Sequence, residues 1–276
     1  MKKSDIKKIV RQGYAQVATT NTSCCPTTSS CGCGAPSGLS ISKAIGYSDK
    51  EIKSVPKEAN LGLGCGNPIA LASLKPGETV LDLGSGPGLD CFLAANKVGK
   101  YGKVIGIDMT PEMLAKARAN AQKGNYSNVE FRLGEIEKLP VKDNSVDVII
   151  SNCVINLSPD KPKVFKEAFR VLKPGGRLMV SDIVLTKPLP DTVVKSVGAY
   201  VGCLSGAVLK NVYLGTVKEA GFKKIKVLDQ ARYPIKYMMN DPTAQALAQT
   251  INLSTKTVAG LIGSVISIKV AAVKTE

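Results

Sequence analysis

The feature that most constrains the fold is an alternation of short apolar runs with helical segments between residues 74 and 185. Runs rich in Val, Ile and Leu predict five strands, and the longer segments between them predict helices. Strands that alternate with helices pair in parallel and are covered on both faces, so the pattern predicts a doubly wound, mostly parallel α/β sheet. The predicted strands are 79–83, 104–107, 129–133, 146–151 and 178–183; helices are predicted at 89–98, from 110 onward and at 162–172, and a turn at 173–176.

The flanking regions have weaker patterns. Ile6, Ile9, Val10 and Tyr14 lie at helical spacing, which predicts a short basic helix over residues 1–18. Small polar residues and two prolines predict a loop next, and irregular patterns follow the central strands. Further predicted elements are the loop at 19–40, a short helical pair at 41–60, a helix at 193–209 and a strand at 265–270. We therefore divide the chain into an N-terminal cysteine-bearing segment (1–60), a central α/β domain (61–185) and a C-terminal region with a small α+β part (186–276).

A glycine-rich loop follows the first predicted strand and opens a helix. It contains Gly84, Ser85 and Gly86, and glycine lets the backbone turn sharply and approach a ligand closely. The third glycine comes one residue too early for the G-x-G-x-x-G dinucleotide motif. Asp82 precedes the loop, as if to accept a hydrogen bond from an ammonium group, and Asp108 ends the second strand, placed to accept ribose hydroxyls. The loop and its acids predict a nucleotide-containing cofactor.

The composition of the chain limits which partners it can bind and indicates its cellular compartment. The net charge is +15, but the lysines are dispersed and aromatic residues are only 5% of the chain, so a nucleic-acid surface is not expected. The chain has neither a run of about 18 apolar residues nor an apolar N-terminal block. We therefore expect a cytoplasmic protein that binds no membrane, and any disulfide in it should be transient.

The chain has eight cysteines and no histidine. Their spacing fits neither a disulfide ladder nor paired zinc-finger ligands, although a structural zinc in the N-terminal cluster is an alternative. Scattered thiols around a cofactor suggest that sulfur handles the substrate, while Cys91, on a helix packed against the sheet, is interpreted as a small core residue. The cluster comprises Cys24, Cys25, Cys31 and Cys33, and the single thiols are Cys65, Cys91, Cys153 and Cys203.

The central region resembles the S-adenosylmethionine-dependent methyltransferases. The resemblance rests on the glycine loop, on 107–109 (Ile-Asp-Met), on 134–137 (Gly-Glu-Ile-Glu) and on 172–176 (Leu-Lys-Pro-Gly-Gly). It implies S-adenosylmethionine as cofactor. The residues that it implies are Asp82, Gly84, Ser85 and Gly86 at the methionine end, Asp108 and Met109 at ribose and adenine, Glu135 and Ile136 at the adenine edge, and Asn152 on the cofactor side.

Four further motifs look like the arsenite methyltransferase family. They are 64–66 (Gly-Cys-Gly), 90–91 (Asp-Cys), 151–157 (Ser-Asn-Cys-Val-Ile-Asn-Leu) and 202–207 (Gly-Cys-Leu-Ser-Gly-Ala). The resemblance implies that thiolates of Cys65, Cys153 and Cys203 hold trivalent arsenic, and that a fourth thiol, Cys25 or Cys24, joins a redox relay. Family members often carry two tyrosines before Gly-Cys-Gly, where this chain has Gly62 and Leu63. The resemblance therefore implies no aromatic contribution from these two positions to the cofactor site.

The residue types suit this chemistry. Trivalent arsenic is soft and prefers sulfur ligands, and its lone pair can attack a methyl group without a general base, so the lack of histidine is no obstacle. Methyl transfer formally oxidises arsenic, and two thiols that close a disulfide can reduce it again. We expect Cys25 (or Cys24) and Cys65 to form that disulfide, and thioredoxin or a small thiol to reopen it.

Two rival functions are consistent with the sequence. One is a C- or O-methyltransferase of similar fold whose cysteines are incidental. The other is a thiol-rich sensor or buffer for soft metals that uses the nucleotide only as a structural ligand.

Overall fold

A seven-stranded sheet runs through the computed structural model, which describes residues 3–19, 38–189, 204, 206–232 and 264–275. The strands lie in the order β3-β2-β1-β4-β5-β7-β6, and the first five strands in the chain pair in parallel. β7 is antiparallel to both β5 and β6. The strands are β1 (Thr79–Leu83), β2 (Lys103–Asp108), β3 (Val129–Leu133), β4 (Val146–Asn152), β5 (Leu172–Leu185), β6 (Lys223–Arg232) and β7 (Val265–Val273).

Helices cover the sheet and precede it. The described helices are α1 (Lys3–Thr19), α2 (Gly38–Ala44), α3 (Asp49–Lys53), α4 (Pro68–Leu71), α5 (Leu89–Val98), α6 (Pro111–Lys123), α7 (Lys161–Val171) and α8 (Lys210–Glu219), with short 3-10 turns at Lys57–Ala59 and Ile155–Leu157. Within the described ranges, none of these helices is both long and apolar enough to cross a membrane.

The strand order fixes where a ligand can bind. β1 lies between β2 and β4, so the chain reverses its winding direction at the gap between β1 and β4. Ligands of open α/β sheets bind outside the carboxyl ends of the strands at such a switch point. The predicted doubly wound, mostly parallel α/β sheet is thereby confirmed.

The core has two layers, one on each face of the sheet. Leu81 and Leu83 of β1 pack into one layer and Val80 into the other, as the alternation of side chains along a strand requires. All three are fully buried. Apolar residues occupy both faces of β1, because both faces of the strand are covered.

Several predicted boundaries need correction. The predicted turn at 173–176 lies inside β5, because a register shift opposite Val146 and Val148 lets the strand continue through it. The predicted loop at 19–40 ends early, since α2 begins at Gly38. The sequence reading also missed α8 and β6; β6 is a charged strand at the sheet edge whose exposed side chains give little alternating signal. The predicted helix at 193–209 is wrong at its end, since the described residues 204 and 206–209 are not helical; the rest of that range lies outside the described residues.

The C-terminal region adds two strands to the same sheet. β7 pairs along β5 from Arg177 to Leu185, and β6 pairs with β7. The strand predicted at 265–270 is therefore confirmed as part of β7. The division of the chain at residues 60 and 185 stays a prediction.

Arg177 of β5 fastens the segment before β1 to the sheet. Its guanidinium donates to both carboxylate oxygens of Glu78, at 2.7 and 2.8 Å, and to the carbonyls of Ala72 and Ser73. Burial would raise the pKa of Glu78, but hydrogen bonds from Arg177 and from the Lys75 amide hold it below its usual 4.5. The stability that Glu78 contributes is therefore present above pH 4.5 and is lost as the pH falls through the folded-state pKa.

Replacing Arg177→Met should lower the free energy of unfolding by about 1.5–3 kcal/mol near pH 7, because it leaves a partly buried carboxylate unpaired. The difference from the parent should shrink below pH 4.5 as Glu78 is protonated. Chemical denaturation across this pH range would measure both effects. The exposed pair Lys123–Glu58 provides the control, since Lys123→Met should cost less than about 1 kcal/mol. An equal loss for both variants would contradict the role of Arg177.

Candidate functional site

A cleft lies where β1, β2 and β4 end. Its walls come from the glycine loop, from the segment before β1, from α1 and from the turn after β4. The residues that line it include Val10, Tyr14, Leu61, Leu63, Gly64, Asp82, Gly84, Ser85, Gly86, Asp90, Asp108, Met109, Asn152, Cys153, Val154 and Ile183. This is the binding edge that the strand order predicts.

The glycine loop makes a tight turn at the floor of the cleft. Gly84 and Gly86 have positive φ angles of 69° and 50°, and a Cβ on Gly84 would lie 2.3 Å from Val154. The amides of Gly84 and Ser85 donate to the Ile107 carbonyl, and the Gly86 amide donates to Asp108 at 2.9 Å. These bonds tie the loop to β2, so both strand ends present their polar groups to one space.

The carboxylates buried in the cleft need a cation or hydrogen-bond donors as partners. Burial raises the pKa of Asp82 well above its usual range, and the negative charge of the neighbouring Asp90 adds to the shift. Burial raises the pKa of Asp90 to about 6, although Tyr47 and Asn152 donate hydrogen bonds that oppose the shift. The Ser85 hydroxyl is buried and has no hydrogen-bond partner among the described residues. A ligand with an ammonium group and hydroxyls would satisfy these groups.

Asn152 joins the cleft to the loop at 64–66. Its Nδ2 donates to the Gly66 carbonyl at 2.8 Å, to the Tyr47 hydroxyl at 2.9 Å and to Asp90 at 3.2 Å. Its Oδ1 accepts from the Cys65 amide at 3.0 Å. The Tyr47 hydroxyl in turn donates to Asp90 at 2.6 Å. The end of β4 therefore fixes the position of the Cys65 backbone.

The two glycines beside Cys65 have a steric explanation. Gly64 has φ +113°, and a Cβ there would lie 2.8 Å from the Asn152 amide nitrogen. A Cβ on Gly66 would lie 2.7 Å from the Ser181 hydroxyl. Gly-Cys-Gly is thus the sequence that lets the chain pass between Asn152 and Ser181 while placing one thiol there.

Two thiols from distant parts of the chain meet beside the cleft. The Cys65 and Cys153 sulfurs and a carboxylate oxygen of Asp182 all lie within 4.8 Å of one another. Cys65 is 4% exposed and Cys153 is 8% exposed, and both are present as thiols. The Cys65 thiol and the Cys153 amide both donate to the Ser181 carbonyl, at 3.5 and 2.8 Å.

Cys153 adopts a left-handed backbone conformation, with φ 60°. This conformation costs a non-glycine residue on the order of 1 kcal/mol of free energy, and it persists only where surrounding contacts enforce it. The amide bond to Ser181 and the packing of Cys153 among Leu157, Ile183 and Leu185 supply those contacts. The strain points to a side chain that is placed for chemistry.

Asp182 is fully enclosed behind the thiols. One of its oxygens accepts from Asn156 at 2.8 Å and from the Ile183 amide at 3.0 Å, and the other accepts from the Tyr213 hydroxyl at 2.9 Å. Burial raises the pKa of Asp182 to about 7, against the opposing hydrogen bond from Tyr213. Three donors thus hold the carboxylate in one orientation.

Helix α1 lies along the cleft and contributes Val10 and Tyr14 to its wall. Lys7 pairs with Glu135 and Glu137, at 2.7 and 3.2 Å, and Arg11 pairs with Glu135 at 3.4 Å. These pairs join the helix to the segment that follows β3.

Most predicted cofactor residues line this one cleft. They are Asp82, Gly84, Ser85, Gly86, Asp108, Met109 and Asn152, and the predicted ligand Cys153 lies beside them. Glu135 and Ile136 do not line it: Glu135 pairs with α1, and Ile136 packs in the core. Their predicted contact with adenine stays a prediction.

The cysteines divide into three groups. Cys65 and Cys153 come together, and Cys91 is fully buried in the core, where its thiol donates to Asp82 at 3.3 Å. The remaining ones, Cys24, Cys25, Cys31, Cys33 and Cys203, lie outside the described residues. The sequence reading missed Tyr47 and Asp182, because only tertiary contacts bring them to the site.

Comparisons with known proteins agree with this geometry. A family model described as a methyltransferase domain matches residues 74–221. An arsenite methyltransferase of Halobacterium salinarum is 49% identical over 81% of this chain and 59% of its own length, and one of Aquipseudomonas alcaligenes is 44% identical over 60% and 49%. The crystal structure of an arsenic(III) S-adenosylmethionine methyltransferase from Chlamydomonas reinhardtii has a TM-score of 0.62 and 32% identity, covering 86% of this chain and 73% of that one.

The curated relatives are longer proteins. The chain spans 59% of the Halobacterium protein and 49% of the Aquipseudomonas protein, about half of their length. The relatives therefore contain further sequence that has no counterpart in these alignments.

Substituting Asn152→Ala should release the loop that carries Cys65. The Cys65 amide and the Gly66 carbonyl would lose their partner, at a cost of about 1–3 kcal/mol in unfolding free energy. We expect Cys65 to react faster with a thiol reagent, relative to Cys91, when the labelled peptides are quantified by mass spectrometry. Exposed Asn96, whose amide contacts only Ser54 among the described residues, is the control, and Asn96→Ala should change neither quantity. An unchanged Cys65 labelling rate in Asn152→Ala would refute the bracing role.

Proposed function

The chain belongs to the S-adenosylmethionine-dependent methyltransferase family, in its arsenite methyltransferase branch, and from this premise we propose that it transfers methyl groups to trivalent arsenic. One observation carries the proposal: two buried thiols, 88 positions apart in the sequence (65 and 153), meet at the edge of the cofactor cleft. A soft trivalent ion needs such convergent sulfur ligands.

The cleft fits S-adenosylmethionine in its chemistry. Asp82 and Asp90 are buried acids that suit the ammonium group of the methionine end, and Ser85, which lines the same cleft, has a hydroxyl without a hydrogen-bond partner among the described residues. Asp108 and Met109, at the end of β2, are the residues for ribose and adenine. Glycine is required at position 84 of the loop, because a side chain there would collide with Val154. When bound, S-adenosylmethionine supplies an electrophilic methyl group.

The thiols hold the substrate. Each As–S bond forms as a thiol S–H bond breaks, and the proton leaves with a hydroxyl of arsenous acid as water. Cys65 and Cys153 provide two such bonds, and Cys203, outside the described residues, is the third proposed ligand. Burial excludes water from the two sulfurs, so hydrolysis of the As–S bonds is disfavoured.

Positioning replaces acid–base catalysis here. Asn152 contacts both the Cys65 backbone and Asp90, so the same side chain orients the arsenic ligand and the cleft wall. Holding reactants in a fixed geometry can contribute about 7–11 kcal/mol to a barrier. The arsenic lone pair is the nucleophile, and no proton has to be removed from it.

The N-terminal thiols complete a redox relay. Methyl transfer leaves arsenic formally pentavalent. The Cys25 (or Cys24) thiol loses its proton and attacks the Cys65 sulfur. The As–S bond to Cys65 then breaks, its electron pair returns arsenic to the trivalent state, and the two sulfurs form a disulfide. Thioredoxin or a small thiol then reduces that disulfide in the reducing cytoplasm in which we place the protein. On the basis of this relay, the role that we propose for the chain is the detoxification of arsenic.

The substitution Cys153→Ser should reduce arsenite-dependent formation of S-adenosylhomocysteine by roughly 100-fold or more, because a hydroxyl is a poor ligand for a soft ion. Binding of S-adenosylmethionine, measured by calorimetry, should be retained. Cys91→Ser is the matched control, because serine keeps a donor toward Asp82 in the core. Arsenite binding by the parent without methylated arsenicals would instead identify a sensor, and turnover that is indifferent to arsenite would identify another methyltransferase.

The relay is tested by removing the adjacent thiols of Cys24 and Cys25 together. The Cys24→Ser/Cys25→Ser protein should complete one methyl transfer in a single turnover but lose about tenfold or more in multiple turnover, since arsenic is no longer reduced. Chromatographic separation of arsenic species measures both regimes. The control is the double variant Cys31→Ser/Cys33→Ser, which lacks the same number of thiols as the test variant and should turn over normally. Normal multiple turnover without Cys24 and Cys25 would exclude the relay.

A further inference from the structure

The proposed reaction does not use the carboxylate that lies against the two sulfurs. Asp182 is 1% exposed, and one of its oxygens lies within 4.8 Å of both the Cys65 and the Cys153 sulfur. A buried carboxylate needs partners, and Asn156, Tyr213 and the Ile183 amide supply three hydrogen bonds. An ionised carboxylate can accept about four hydrogen bonds, so the three partners within the described part of the chain leave room for one more ligand on the oxygen that faces Tyr213.

Two thiolates and a carboxylate form a donor set with a clear preference. Zinc-type divalent cations take sulfur from cysteine together with oxygen from aspartate or glutamate. At metal–sulfur distances of about 2.3 Å and metal–oxygen distances of about 2.1 Å, tetrahedral ligand atoms lie about 3.5–3.8 Å apart. The three atoms here are within 4.8 Å of one another, so an inward movement of about an ångström closes the site.

The surroundings of the cluster resemble those of built metal sites. Hydrogen bonds from Asn156 and Tyr213 fix the Asp182 carboxylate, as second-layer partners do for metal ligands. The Cys65 loop is fixed by Asn152. Cys153 faces the cleft, so an ion can enter from there and keep a water molecule as its fourth ligand.

We propose that Cys65, Cys153 and Asp182 form a binding site for a soft divalent cation of the zinc and cadmium class, and that this ion competes with arsenite for the two sulfurs. Asp182 makes the difference between binding of the divalent cation and binding of arsenite. A dication next to two thiolates gains a third negative ligand from it, whereas trivalent arsenic is held by its bonds to sulfur. The site shares its thiols with the proposed function but does not depend on it.

Cadmium is a suitable probe, because cadmium bound to thiolates absorbs in the near ultraviolet. The titration uses the full chain with Cys24, Cys25, Cys31 and Cys33 replaced by serine, in a phosphine reductant, so that the N-terminal thiols do not contribute. Competition with a chelating dye gives the affinity. Cys153→Ser should abolish the absorption, Asp182→Asn should weaken Cd²⁺ binding about 10–100-fold, and Cys91→Ser should leave it unchanged.

Arsenite provides the second arm of the test. Asp182→Asn should change arsenite affinity by less than about threefold, because the As–S bonds are untouched. Cd²⁺ should raise the apparent KM for arsenite without lowering kcat in the parent protein. Equal Cd²⁺ affinity in Asp182→Asn and parent, with unchanged melting temperatures, would overturn the site.

A second variant keeps the test decisive if Asp182→Asn fails to fold. Tyr213→Phe preserves the packing and removes only the hydroxyl that orients Asp182, and it should weaken Cd²⁺ about tenfold. An unchanged affinity in that variant would count against the site. Cadmium binding that depends on Asp182 in a protein that does not methylate arsenite would refute the proposed function alone. Methylation with cadmium binding indifferent to Asp182 and Tyr213 would refute this inference alone.

Discussion

The hydrogen bonds of one amide, that of Asn152, hold the site together. This side chain stands at the end of β4 and bonds to three other chain segments, at Tyr47, at 65–66 and at Asp90. An amide supplies two donors and an acceptor in fixed directions, and networks of this kind lose more than one bond when a member is removed. The distance between thiols and cofactor cleft therefore depends on a residue that does no chemistry itself.

The parallel sheet makes this convergence possible. The ends of β1, β2, β4 and β5 lie at one edge, so Asp82, Asp108, Asn152 and Asp182 approach one another although they are far apart in sequence. Burial raises the pKa values of Asp82 and Asp90, and the negative charge of neighbouring carboxylates adds to both shifts. The fold thereby accumulates unsatisfied polarity, which a cationic cofactor and soft ions can relieve.

Local signals predicted the central strands and the glycine loop because their causes are local: apolar runs for buried strands and glycine for positive φ. Weak signals explain the misses. β6 is an edge strand whose lysines face solvent, and the 173–176 turn was absorbed into β5 by a register shift. Glu135 carries an acidic motif position, yet it pairs with Lys7 and Arg11 of α1 and does not line the cleft.

The sequence by itself determined the α/β class, the glycine loop with Asp82 and Asp108 beside it, and the Gly-Cys-Gly motif around Cys65. These follow from periodicity and from backbone geometry within a few residues. Only the tertiary structure decided that Cys65, Cys153 and Asp182 share one space and that Tyr47 and Asn152 brace them. The reason is physical: their contacts join strands and loops that pack together only when the sheet has closed its two core layers.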